Sequence, residues 1–162
     1  MANPSDWRAR FRELLPALGH RNWILIADSA YPAQVGAVEV LPTGEEHEAL
    51  VREVVREVSG APHLRPVVWY DAELDTLPEE LAPGRDSAHA LITRDLAHLS
   101  PSPVLHAELI ERLGKAAQSF TVLILKSTGT VPYSSVFLEL DCGYWGPEAE
   151  AELRRRMDAE EK

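Results

Sequence analysis

A buried strand is predicted within Leu18-Gly-His-Arg-Asn-Trp-Ile-Leu-Ile-Ala-Asp-Ser-Ala-Tyr-Pro32. The stretch predicts, in order, the end of a helix, a tight turn, the strand and a second turn. Residues 24–27 are apolar without interruption, which is typical of a short strand covered on both faces. His20 precedes this strand and Asp28 follows it, so a rigid element carries a titratable group at each end.

Amphipathic helices and apolar strands alternate along the rest of the chain. This order predicts an α/β fold, a three-layer sandwich in which a central, mostly parallel or mixed sheet is flanked by helices. We expect a single domain over residues 1–146 and an acidic helical extension over 147–162. Ser5 and Thr43 are candidate N-caps of the first two helices. Helices are predicted over 5–18, 43–58, 106–119 and 147–157, helical or irregular structure over 89–99, and strands over 37–41, 66–70, 120–125 and 135–140.

The composition limits the kinds of partner. The chain of 162 residues has a formal net charge of −10 and an isoelectric point near 5.0, which argues against nucleic acid or an anionic membrane surface as the main partner. A single cysteine, Cys142, excludes an intrachain disulfide and a multi-cysteine metal site. The amino terminus lacks a signal-peptide pattern, and no apolar run approaches the ~18 residues that a membrane span needs. We therefore expect a cytoplasmic protein.

His20 and Asp28 are the first candidate site residues. A strand rises ~3.3 Å per residue, so their backbones lie roughly 15–20 Å apart on a straight path. Within one chain they cannot act on one proton unless the loop after Asp28 folds back. Alternatively, the two residues contact a ligand at different points. Spacing alone favours structural roles, in which His20 caps a helix end and Asp28 ties down the turn before Pro32. Tyr133, in a loop before the last strand, is also an ordinary amphipathic tyrosine when taken alone.

No pattern in the sequence predicts a metal or cofactor site. His47 lies among the three glutamates of segment 45–48, a cluster that is typical of a solvated helix start rather than a metal site. The remaining histidines lie outside any recognised ligand pattern. A phosphate-binding loop, a nucleophile elbow and a catalytic triad are all absent from the sequence. We expect no metal and no organic cofactor.

Two separated motifs resemble the signature of the D-ribose pyranase and L-fucose mutarotase family. The first is Leu18-Gly-His20, followed by the short strand, Asp28 and Pro32. The second is Thr128-Gly129, a short gap, and Tyr133-Ser-Ser135 leading into an apolar strand. Each motif is short, but the two occur in the family's order and at the matching ends of the chain.

The resemblance implies which residues form the site. His20 corresponds to the proton donor of the family. A basic residue near the start of the penultimate helix contacts the sugar, and His106 matches it best, with Arg112 as the alternative. The residues implied to bind sugar are therefore Asp28, Tyr133, Ser135 and either His106 or Arg112.

The resemblance also implies an assembly and an activity. Family members form homo-oligomers, pentameric rings often stacked as decamers, whose sites are shared between neighbouring subunits. The implied activity is that of a cofactor-independent isomerase that interconverts anomers, or pyranose and furanose forms, of a monosaccharide. Ser135 stands where the family has Asn, and this departure leaves open a non-catalytic sugar-binding or regulatory protein. An oligomeric scaffold with an unrelated pocket is the third alternative.

Overall fold

The structure, a computed structural model, describes residues 6–32 and 37–161. It is an α/β sandwich whose middle layer is a six-stranded sheet. The strands are β1 (Trp23–Ala27), β2 (Val38–Pro42), β3 (Leu64–Asp71), β4 (Ser102–Val104), β5 (Val122–Lys126) and β6 (Val136–Cys142). The α-helices are α1 (Trp7–Leu14), α2 (His47–Ser59), α3 (Arg85–Ala90), α4 (His106–Ala117) and α5 (Pro147–Glu160). Short 3₁₀ or π turns cover Leu15–Ala17, Ala72–Asp75, Leu91–Asp95 and Ala97–Leu99.

The sheet is mixed because one strand runs against the others. Its order is β2-β5-β1-β6-β3-β4. Strand β6 is antiparallel to its neighbours β1 and β3, whereas all other neighbouring strands are parallel. The carboxyl ends of five strands therefore meet the start of β6 at one edge, which we name the carboxyl edge. The opposite edge, named the amino edge, holds the starts of those five strands and the end of β6. The predicted α/β fold, with a mostly parallel or mixed central sheet, is confirmed.

Helices cover both faces of the sheet. On one face, Ile24 and Ile26 of β1 pack with α1, α2 and the helical segment 85–99. On the other face, Trp23 and Leu25 pack with α4. Every residue of β1 is buried, as the uninterrupted apolar run predicted. Apolar burial stabilises by about 25 cal/mol per Å², so moving this fully buried strand out of its place would cost free energy. The strand is therefore a rigid frame for the residues at its two ends.

The start of α2 differs from the prediction. The helix begins at His47 rather than at Thr43. Thr43 Oγ1 donates to the Lys126 carbonyl at 2.7 Å and accepts from the Glu45 N–H at 3.2 Å. Thr43 therefore holds the end of β5 instead of capping a helix. The other candidate cap, Ser5, lies outside the described residues.

Strand β3 is longer than predicted, and β4 is absent from the prediction. β3 begins at Leu64 and contains Pro66, which lacks an N–H. The proline is tolerated because β4 pairs only with Trp69–Asp71 of β3. Beside Pro66, β3 is therefore paired with β6 on one side and is an edge strand on the other. Strand β4 lies within a Ser-Pro repeat that is more typical of a loop. Segment 89–99 is helical, as one of its two alternatives predicted.

Helix α5 follows the last strand. None of its residues is buried, and the division of the chain at residue 146 stays a prediction. Within residues 6–32 and 37–161, no helix is long and apolar enough to cross a membrane. The cytoplasmic location also stays a prediction.

Candidate functional site

The carboxyl edge gathers polar side chains from several strands. Asp28 follows β1, Asp71 ends β3 and Ser127 follows β5. Because β6 runs in the opposite direction, the loop before it brings Tyr133 and Ser135 to the same edge. The Ser135 hydroxyl donates to Asp28 Oδ1 at 3.2 Å, although the two residues are 107 positions apart. The fold thus brings Asp28, from the first motif, into contact with Ser135, from the second motif.

An open cavity of about 400 Å³ lies at the carboxyl edge. Its wall includes Asp28, Tyr31, His106 and Tyr133, and His106 is the first residue of α4. The His106 and Tyr133 rings meet edge to face, with their centroids 5.7 Å apart. The volume falls within the ~300–1,000 Å³ that is typical of small-molecule sites. Carboxylate, imidazole and phenol groups can all hydrogen-bond to the hydroxyls of a polar ligand.

A buried aspartate holds the ring of His106. His106 Nδ1 lies 3.0 Å from Asp71 Oδ1, and the His106 backbone N–H donates to Glu73 Oε1 at 2.9 Å. Asp71 is 1% exposed, and its Oδ2 has no hydrogen-bond partner among the residues that the structure describes. When Asp71 is ionised it accepts from Nδ1–H, which leaves Nε2 as the ring nitrogen that can exchange a proton with a ligand.

The surroundings of Asp71 disfavour its charged form. Burial raises the pKa of Asp71 to about 6. The hydrogen bond with His106 opposes this shift, and the nearby carboxylates of Glu73 and Asp28 add to it. The carboxyl edge therefore contains an acid that titrates within two pH units of neutrality, directly behind a histidine of the cavity wall.

Tyr133 has a left-handed backbone conformation, with φ at 58°. Such a φ is uncommon for a residue other than glycine and is stable only where surrounding contacts enforce it. The loop before β6 has such contacts on both sides of Tyr133. The Ser29 N–H donates to the Gly129 carbonyl at 2.8 Å, and Ser134 Oγ donates to the Val131 carbonyl at 2.6 Å. The phenol ring is therefore presented to the cavity from a fixed backbone.

His47 ties the same loop to α2. Its Nε2–H donates to the Ser134 carbonyl at 2.8 Å, and its Nδ1 lies 2.9 Å from Ser127 Oγ. His47 is 4% exposed, so the expected solvated helix start is wrong for this residue. Its position is in phase with Leu50 and Val54 on the buried face of α2, and this phase decides its environment despite the neighbouring glutamates.

The burial of His47 also fixes its charge. Burial lowers the pKa of His47, and the hydrogen bond to Ser134 offsets only part of that effect. The ring is therefore neutral at pH 7. It acts as a hydrogen-bonding clamp between α2 and the loop that carries Tyr133.

Two residues implied to bind sugar lie outside the cavity wall, as far as the described residues define it. Ser135 is 3% exposed, and its hydroxyl orients Asp28. Arg112 packs its guanidinium over the Trp69 ring, 5.0 Å from the centroid. Of the two alternatives on α4, the structure places His106 at the cavity.

His20 lies at the amino edge, at the other end of β1 from Asp28. Its side chain is 59% exposed, and its Nδ1 lies 2.9 Å from Asp141 Oδ1. Asp141, near the end of β6, also pairs with Arg65. One chain thus holds His20 away from the cavity at the carboxyl edge, as the length of the strand predicted.

Sequence reasoning missed Asp71 and Asp141. Asp71 follows the apolar run Val67-Val-Trp-Tyr70 as Asp28 follows β1, and this repeated pattern of strand and aspartate would have indicated it. Asp141 has no such signal. Its contact with His20 depends on the antiparallel direction of β6, which a local pattern does not reveal.

The fold is shared with solved structures, although no family model and no curated protein matches the sequence. RbsD of Bacillus subtilis, complexed with D-ribose, matches with a TM-score of 0.61 and 15% identity over 87% of this chain and 98% of its own. The fucose mutarotase of Streptococcus pneumoniae, in complex with L-fucose, has a TM-score of 0.55 and 15% identity over 85% and 95%. FucU from Bifidobacterium longum has a TM-score of 0.52 and 16% identity over 82% and 92%. The predicted resemblance to the pyranase and mutarotase fold is confirmed, and identities this low show the fold alone.

Proposed function

We propose that this chain is a cofactor-independent isomerase that interconverts the anomers, or the pyranose and furanose forms, of a monosaccharide. The observation that carries the proposal is the convergence of Asp28, His106 and Tyr133 on one open cavity. Several hydrogen-bonding groups around a small cavity suit a ligand with many hydroxyls. The likeness of the fold to proteins solved with D-ribose and L-fucose supports the same class of ligand.

The proposed reaction is the opening and closing of a hemiacetal. A base removes the proton of the anomeric hydroxyl, an acid delivers a proton to the ring oxygen, and the bond between C1 and the ring oxygen breaks to give the open-chain aldehyde. Rotation about the C1–C2 bond followed by reclosure gives the other anomer. Attack by a different hydroxyl gives the other ring size. Protons balance and no electrons are gained or lost, so acid and base groups suffice.

His20 is the proposed proton carrier, supplied to the cavity by a neighbouring copy of the chain. Imidazole can take up and release a proton near neutral pH, as both halves of the reaction require. Because His20 and the cavity lie at opposite ends of β1, a site that uses both needs two chains of a homo-oligomer. The resemblance to the pyranase and mutarotase family implies a pentameric ring or decamer for that assembly. Asp28, His106 and Tyr133 hold the sugar, and Ser135 orients Asp28 through its hydroxyl.

Saturation-transfer NMR on reducing sugars tests the proposal. Ribose, fucose and other aldoses are equilibrated with the protein, and saturation of H1 in one anomer is followed into the other. We expect exchange faster than in buffer for at least one sugar. Unchanged exchange with every sugar contradicts the proposal.

A non-catalytic sugar-binding protein is the second candidate, and Ser135 is the observation that favours it. The resembled family has Asn at this position, and the Ser135 hydroxyl is engaged with Asp28. The cavity therefore lacks one amide donor and acceptor. Sugar-induced shifts in the His106 and Tyr133 ring signals, without faster anomer exchange, would select this function.

A further inference from the structure

His20, the proposed proton carrier, has a carboxylate partner within its own chain. His20 Nδ1 lies 2.9 Å from Asp141 Oδ1, although the two residues are 121 positions apart. They meet because β6 is antiparallel to β1, which brings the end of β6 beside the turn before β1. Backbone pairing continues past the strand, since the Arg21 N–H donates to the Leu140 carbonyl at 3.0 Å. The main chains that carry the pair are thus held together.

Two other groups hold Asp141 in place. The Cys142 N–H donates to Asp141 Oδ1 at 2.8 Å, and the Arg65 guanidinium donates to Oδ2. Arg65 lies directly opposite Asp141 in the pairing of β3 with β6, so their ion pair is a cross-strand contact. The carboxylate is therefore held by Arg65 of β3, by its own backbone and by His20 in the turn before β1.

These contacts keep Asp141 ionised. Partial burial alone would raise the pKa of Asp141. The hydrogen bonds from the Cys142 N–H and from His20 outweigh that effect, and the charge of Arg65 adds to them, so the pKa lies below its usual range. At neutral pH the group facing His20 is an acceptor that carries no proton.

The ionised carboxylate determines which nitrogen of His20 carries the proton in the neutral ring. A carboxylate accepts and cannot donate, so the hydrogen between the two groups belongs to Nδ1. The Nδ1–H tautomer leaves the Nε2 lone pair available for proton exchange. Without such a partner, an imidazole in water favours the opposite tautomer, with the hydrogen on Nε2.

His20 and Asp141 share a cavity with the start of α5. This cavity of about 360 Å³ is lined by both residues and by Trp145, Pro147 and Glu150. Trp145 Nε1–H donates to Glu150 Oε2 at 2.6 Å, which ties the tryptophan to the helix. The pair therefore borders open space that can admit a ligand rather than packed core.

We propose that Asp141 is the positioning residue of His20, holding it in the Nδ1–H tautomer with Nε2 turned to proton exchange. The inference rests on the proposed function, which supplies the reaction. Its physical content, the tautomer, can be measured without turnover. In this role Asp141 acts through His20 rather than on the sugar, so its loss should affect the proton-transfer step and leave sugar binding unchanged.

The test combines ring ¹⁵N NMR of the intact protein with anomer-exchange kinetics. Ring nitrogen shifts of His20 are assigned with His20→Ala and compared between the wild type and Asp141→Ala above the imidazole titration range. We expect the Nδ1–H form in the wild type and a shift toward the Nε2–H form in Asp141→Ala. We expect kcat to fall at least about 10-fold with KM within about 2-fold, a smaller loss than for a buried triad aspartate because Asp141 is partly exposed.

Asp95→Ala is the matched control. It removes a carboxylate from another surface ion pair, Arg52 Nη2 to Asp95 Oδ2 at 2.8 Å, and should leave the His20 signals and kcat unchanged. A wild-type ring in the Nε2–H form overturns the proposal even if Asp141→Ala does not fold. An unchanged kcat in Asp141→Ala also overturns it. A wild type that accelerates no sugar refutes the proposed function instead, and the ring signals then decide alone whether Asp141 fixes His20.

Discussion

Two histidine–aspartate pairs, one at each edge of the sheet, make the same contact in different surroundings. At the carboxyl edge, His106 Nδ1 lies 3.0 Å from Asp71, and at the amino edge His20 Nδ1 lies 2.9 Å from Asp141. Burial raises the pKa of Asp71 to about 6, whereas hydrogen bonds and the charge of a neighbouring arginine lower that of the partly exposed Asp141. Burial acts to raise the pKa of both carboxyls, and the direction of the net shift is set by whether the other partners, such as the Cys142 N–H and Arg65 beside Asp141, outweigh it.

The two edges also differ in how completely they are built. Each edge borders a cavity, and at the carboxyl edge the buried His47 clamps the loop that carries the left-handed Tyr133. The amino edge presents an exposed His20 beside a fixed carboxylate. In the proposed reaction the first edge binds the sugar and the second moves protons. Changes at the two edges should therefore have different kinetic signatures.

The largest expected effect is on turnover at the amino edge. Replacing His20 by Ala should lower kcat by about 10²–10⁴-fold, because the proposed general acid and base is lost. Sugar binding, measured by ligand-detected NMR, should persist. Turnover that survives in His20→Ala would reject its assignment as the proton carrier.

The corresponding change at the carboxyl edge is Asp28→Asn. Hydrogen bonds to a charged group contribute about 1.5–3 kcal/mol, so KM should rise about 10-fold or more. A change in kcat alone, with KM unaltered, would contradict the division of tasks between the edges.

The next effect is on stability, and it depends on pH. The pKa of Asp71 rises from 3.8 in the unfolded chain to about 6 in the folded one, which corresponds to up to about 3 kcal/mol. The native state thus binds more protons between these values, so this group's contribution to stability is complete below about pH 4 and is lost as pH rises through about 6.

Asp71→Asn removes this titration while keeping an oxygen for His106. Its free energy of unfolding, relative to that of the wild type, should therefore increase between pH 4 and pH 7 by up to about 3 kcal/mol. Urea denaturation at a series of pH values measures the difference. A difference that stays constant with pH would show that the pKa of Asp71 does not change on folding, which contradicts the prediction.

The histidines of the two edges should also differ in how much they stabilise the fold, because His47 is buried and His20 is largely exposed. His47→Ala should destabilise the fold by about 2 kcal/mol or more, because it leaves a cavity and an unpaired Ser134 carbonyl. His20→Ala should change stability by about 0.5 kcal/mol or less, since the side chain is largely exposed. Denaturation midpoints of the two variants test this, and equal losses would contradict it.

The smallest effect concerns Ser135. Ser135→Ala removes the hydroxyl that orients Asp28, a loss of about 1 kcal/mol, so KM should rise about 5-fold. Thr93→Ala is the control, because it removes a hydroxyl that donates to the His89 carbonyl at 2.9 Å in the helical layer. Equal KM values for both variants would exclude a role for Ser135 in the site.

The sequence predicted the parts of the molecule that local pattern controls. The apolar run of β1 is buried on both faces, and the spacing of His20 and Asp28 places them at opposite edges. His106, which lines the cavity, was implied by the family resemblance rather than by local pattern. The alternation of helices and apolar strands was enough to predict the sandwich, with a sheet that is mostly parallel or mixed, but not which strand runs antiparallel.

The remaining features depend on contacts between distant segments. The buried charge of Asp71 requires α4 to pack over the end of β3, and the Asp141–His20 contact requires β6 to run antiparallel. His47 is buried because helix phase prevails over its acidic neighbours. Each of these is a tertiary effect that the residue types alone do not specify.

Mixed oligomers test most directly the claim that each site takes one edge from each of two chains. His20→Ala chains are co-expressed with chains that carry both Asp28→Asn and His106→Ala, and the sugar that the wild type turns over is used. If neighbouring chains share each site, about one quarter of the sites in an equal mixture combine two intact edges, and activity should recover to about that fraction. Mixed oligomers that show no more activity than the two variants separately would contradict the claim.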